Sequence, residues 1–104
     1  MTGALSPQID GEDISERIAA AVLATHGVAA MHGGTFGDIA TYLPGRRVTG
    51  VVIGPTSCAV HLAARYPANV VDTAERVRAA VEPLVTVPVD VTIEDLLTET
   101  GQAL

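Results

Sequence analysis

The segment Cys58 to Tyr66 alternates without interruption, with Cys58, Val60, Leu62, Ala64 and Tyr66 on one side of an extended chain. Ala59, His61, Ala63 and Arg65 take the other side. A strand with one apolar face needs cover for that face and neighbours for its backbone. Pro67 and Asn69 end the run, and Val71, Ala74, Val77, Val81 and Leu84 then recur at helical spacing, predicting a helix from Val70 to Leu84. Asn69 or Asp72 supplies its N-cap. Val87 to Ile93 alternates again. Pro88, which has no N–H, belongs at a strand start, an edge or a bulge.

Upstream, Asp13 and Glu16 have the spacing of a capping box, so a helix begins at Asp13. Ile14, Ile18, Ala21 and Val22 form its apolar face, and Gly27 stops it. Asp13 with Arg17, Asp72 with Arg76, and Glu75 with Arg78 are spaced to pair on helix surfaces. Short strands are expected at Val28 to Met31 and Ile39 to Tyr42, with an extended stretch from Arg47 to Ile53. The glycine-rich run His32 to Asp38 and the pair Pro44-Gly45 supply turns. The resulting order is α-β-β-β-β-α-β. This is an α+β fold with a small antiparallel or mixed sheet of about four to five strands packed by two helices. Residues 1–12 are expected to be a flexible N-terminal tail, 13–96 a single domain, and 97–104 an acidic C-terminal tail. Glu94 to Leu104 is expected to fray.

The core of such a domain has to be built from small aliphatic side chains. Among 104 residues there are no tryptophans, one phenylalanine and two tyrosines. The six basic residues are all arginine against twelve acids, a net charge of −6, which argues against nucleic acid as a partner. Arg46-Arg47 is the only local basic cluster and has the look of a solvated turn. One cysteine rules out an internal disulfide framework. No run reaches the roughly 18 apolar residues of a membrane span, and the first residues lack the pattern of a secretory signal. A cytoplasmic location is expected.

Catalytic constellations are weak. Cys58 and His61 lie three apart on a strand and point to opposite faces, so Cys58 is a core residue rather than a nucleophile with its base. His26, His32 and His61 lack the spacing of a zinc site, and His26 suits the end of the first helix. The Gly33–Gly37 run lacks the lysine of a phosphate loop. Asp90 is expected to face solvent or to cap a neighbouring element, and Glu94-Asp95 to lie in the fraying end. No catalytic residue, metal site or cofactor is expected. Ala59, His61, Ala63 and Arg65 form the candidate interaction face, because it is only partly polar.

Three stretches together resemble the alkaline shock protein family, also called the Gls-type envelope stress response family. They are ISERIAAAVLATHGVAAMHGG, CAVHLAARYPANVVDTAERVRAAVEPLV and VPVDVTIEDL, and the likeness covers Ile14 to Leu96. The chain is similar to a short, divergent member. Pro67 stands after Tyr66 where the family commonly has glycine, and Val85-Thr86-Val87-Pro88 replaces a Thr-Gly before the last strand. The resemblance implies a non-catalytic interaction or scaffold protein linked to alkaline and cell-envelope stress. Self-association or a protein partner would follow, with indirect attachment to the inner face of the membrane through a membrane-anchored partner. The family offers no catalytic residues to carry over. The alternative is a small regulatory or ligand-binding module that responds to pH through His32 or His61.

Overall fold

The structure is a computed structural model that describes residues 13–104; the tail expected at 1–12 lies outside the described residues. In chain order the elements are α1 (Ile14–Leu23), β1 (Val28–Met31), β2 (Ala40–Leu43), β3 (Arg46–Thr49), β4 (Val51–Ile53), β5 (Cys58–Arg65), α2 (Val70–Val81), a 3-10 turn (Glu82–Leu84) and β6 (Val89–Leu97). The α+β class and the order of elements are as the sequence predicts. The expected Arg47–Ile53 stretch divides at Gly50 into two strands with different partners.

β5 organises the molecule. β6 pairs with it in parallel from Cys58 to Arg65. Its other edge is shared by two shorter antiparallel strands, β4 along Cys58–Val60 and β1 along Leu62–Ala64. The two meet at His61, whose N–H donates to Gly50 O at 2.8 Å and whose carbonyl accepts from His32 N–H at 3.0 Å. Strands β2 and β3 form a separate hairpin that closes through Pro44-Gly45. Gly50 N–H donating to Ile39 O at 2.7 Å and Thr41 Oγ1 donating to Val51 O at 2.6 Å tie that hairpin to β4.

Both helices cover the Cys58/Val60/Leu62/Ala64 face, and those four side chains are fully buried. Ile18 and Val22 from α1 and Val77 and Val81 from α2 close over them, with Val28, Val51 and Val89. Small side chains let the layers approach closely. A β-carbon on Gly27, which has φ +95°, would run into the buried Thr73 side chain of α2. Buried hydroxyls are satisfied locally: Ser15 Oγ donates to Asp13 Oδ2 at 2.7 Å and Thr73 Oγ1 donates to Asn69 O at 2.9 Å.

Several local expectations change. Asn69, not Asp72, caps α2. Val71 is 65% exposed, because α2 rests on the core through Thr73, Val77 and Val81, a helix face that turns Val71 outward. Tyr66 lies beyond the end of β5, in the turn that leads to α2, and is half exposed. The expected helix-surface pairs are absent from the ion pairs of the described residues; Arg78 Nε donates to Val89 O at 3.3 Å instead. Arg46 is not a bare solvated turn residue, because it forms a bidentate pair with Glu16 of α1. Glu94 to Leu97 do not fray: they are the last residues of β6, and the chain folds back so that Leu97 bridges Ala103.

Two outcomes test this arrangement. Gly50 has φ +85°, and a β-carbon there would sit 2.6 Å from His61 O, so Gly50→Ala should cost at least about 2 kcal/mol, roughly 10 °C in Tm. An unchanged melting temperature would contradict the close approach. The second concerns Glu16, whose carboxyl is lowered from 4.5 to about 2 by Arg46 and by the Asp13 N–H. A folded value below the unfolded one means stability that is present above about pH 4.5 and lost as pH falls toward 2. Glu16→Gln should therefore lower Tm near neutral pH, and the gap from the parent should shrink through that window. Thermal melts followed by circular dichroism decide it; a gap unchanged at the acid end would refute the pairing.

Candidate functional site

The sheet face turned away from the helices carries two histidine–carboxylate pairs, His61 with Glu94 and His32 with Asp95. They exist because β6 contains a bulge. The β5–β6 register runs Cys58 with Val89, Val60 with Val91 and Leu62 with Ile93, then slips, so that Ala63 faces Asp95. Glu94 is the extra residue. In an unbroken strand Glu94 and Asp95 would point to opposite faces; the bulge lets adjacent carboxylates both reach histidines.

His61 Nδ1 lies 2.7 Å from Glu94 Oε2, and the side chains are only 18% and 22% exposed. An ionised carboxylate can only accept, so Nδ1 carries the proton in this contact. His32 Nε2 lies 3.2 Å from Asp95 Oδ2, while His32 Nδ1 accepts the Gly34 N–H at 2.9 Å. A nitrogen that accepts has no proton, so this geometry describes neutral His32 with its hydrogen on Nε2, donating to Asp95. The Gly34 bond begins the 32–39 turn, which continues through Gly37 N–H to Gly34 O and Ile39 N–H to Gly33 O. The glycine run is thus a turn that seats a histidine.

The residues of the expected interaction face fall unevenly around this cluster. His61 is at its centre. Ala59 is half-buried, Arg65 is exposed, and Ala63 is 2% exposed, so the Ala63 side chain has no surface to offer a partner. Cys58 is buried on the opposite face, and burial, with Asp90 adding in the same direction, pushes its thiol up. Asp90 is exposed. His26 lies past the end of α1 and lines a small cavity with Arg65 and Tyr66. Among the described residues no group of three or more His, Cys, Asp and Glu side chains is placed to hold a metal ion. Sequence reasoning missed Glu94, Asp95 and His32 as a unit. The available signal was the acidic pair directly after an alternating run, where a bulge would prolong the strand.

A second feature lies on the other side of β6. That strand pairs only with β5, leaving its outer edge open apart from the fold-back near Leu97. Beside the edge, a trough of about 550 Å3 lies between Val70, Val71 and Ala74 of α2 and the strand residues Val91, Ile93 and Leu96. Glu75, Glu94 and Asp95 complete its lining.

No protein-family profile, no curated protein and no solved structure matches the chain.

The Gly34 bond to His32 has a measurable consequence. His32→Phe removes the Nδ1 acceptor, so the Gly34 amide should lose protection from hydrogen exchange. Unchanged protection would contradict the contact.

Proposed function

We propose that this protein is a non-catalytic interaction module, a scaffold piece that engages another protein through β6 and the first turns of α2. The observation that supports this reading is an open strand edge flanked by an apolar trough with Val71 65% exposed. An unpaired edge offers backbone donors and acceptors to another chain, and adjacent apolar surface adds the burial that makes such contacts last. The resemblance of Ile14 to Leu96 to alkaline shock proteins supports the setting, a role in envelope or alkaline stress with a membrane-anchored protein as partner or further copies of the chain. No helix of the described residues is long and apolar enough to cross a membrane.

The two histidine–carboxylate pairs favour a second reading, in which docking responds to pH. Glu94 and Asp95 each bond a histidine and also line the trough, so a change of charge at His32 or His61 is felt where a partner would sit.

The test combines crosslinking with light scattering. A photoreactive residue at position 71 should yield a discrete adduct in cells, and the same residue at exposed position 56 should not. Val71→Asp should weaken the captured association by about 2 kcal/mol, because it places a charge in the apolar contact. No adduct from position 71, together with a strict monomer at all concentrations between about pH 6 and about pH 9, would overturn the reading.

A further inference from the structure

We infer that the occupant of the β6 edge is a short basic strand, an extended segment of a partner that alternates apolar residues with arginine or lysine. This rests on the docking reading above and adds the chemistry of what docks.

The phase of the β5–β6 ladder decides which backbone groups are available. Cys58 N–H donates to Pro88 O, which sets Cys58 opposite Val89 and turns the backbone groups of Val89, Val91, Ile93 and Leu96 outward. The protein's own chain closes both ends of this row. Val89 O accepts from Arg78 Nε, and Leu96 O accepts from Leu104 N–H. What remains is the stretch around Val91 and Ile93, enough for a partner strand of roughly four to six residues. Every other side chain of an added strand would face α2 and meet Val70, Val71 and Ala74.

Charge selects the sign of the rest. The charged residues lining the trough are Glu75, Glu94 and Asp95, all acidic, on a chain of net charge −6. A second copy would bring its own Glu75, Glu94 and Asp95 to the same edge. In the antiparallel register centred on Thr92 it would set Asp90 of one against Glu94 of the other, twice over, and like charges directly opposite are destabilising. A segment with basic residues between its apolar ones gains from the same carboxylates.

The experiment titrates the isotope-labelled full chain with three acetylated, amidated peptides. One alternates valine with arginine, one alternates valine with glutamate, and one is the valine–arginine peptide N-methylated along one backbone edge. The expected result is amide shifts at Val91, Ile93 and Val70 to Glu75 with the first peptide. Affinity should fall by about tenfold or more with the acidic peptide, and by about tenfold with the methylated one, which loses two backbone hydrogen bonds. Equal affinity for the acidic peptide would overturn the basic-strand inference while leaving a docking edge in place. Shifts from no peptide, with a crosslink still forming at position 71, would show a docking site that does not take a strand. A concentration-dependent dimer abolished by Val71→Asp would make a second copy the occupant and also overturn the inference.

Discussion

The backbone of β5 has three strands to satisfy and only two edges, and the rest of the molecule is arranged around that constraint. β6 takes one edge along its whole length. β4 and β1 divide the other, and the junction falls at His61, where Gly50 and His32 supply the two hydrogen bonds that neither strand reaches alone. Gly50 is therefore fixed by sterics as well as by its φ of +85°. The hairpin of β2 and β3 leaves the sheet at this point, and the 32–39 turn arrives there. Fold and candidate site share one backbone junction.

The second determinant is the irregularity in β6. A parallel strand in perfect register would send Asp95 to the face opposite Glu94. The slip after Ile93 instead brings both carboxylates to histidines, one from β5 and one from the turn after β1. The same slip lies beside the trough, so β6 links the titratable cluster to the edge on which the proposed partner rests.

A core poor in aromatic residues leaves small side chains to close the layers. Valine and alanine fill little volume, so the layers close tightly where they touch, as at Gly27 against Thr73. α2 makes its contact along one face, with Thr73, Val77 and Val81 fully buried, and turns Val70 and Val71 away from the core. As it stands, Val70 and Val71 keep apolar surface in water beside an open strand edge.

The sequence by itself determined the elements and the buried face. Alternation in Cys58 to Arg65 assigns Cys58, Val60, Leu62 and Ala64 to one side by geometry alone, and all four are fully buried. The Asp13–Glu16 capping box is equally local, and both of its hydrogen bonds form. Such features need only a few neighbouring residues, so periodicity and cap chemistry suffice to find them. Tertiary structure alone decided the rest. Whether Glu94 and Asp95 frayed or extended a strand depended on pairing with β5, more than thirty positions earlier in the chain. Whether Val71 or Thr73 faced the core depended on how α2 settled against a sheet of small side chains. Register slips and helix tilt are set by contacts between distant segments, and a one-residue slip reverses which face a side chain takes.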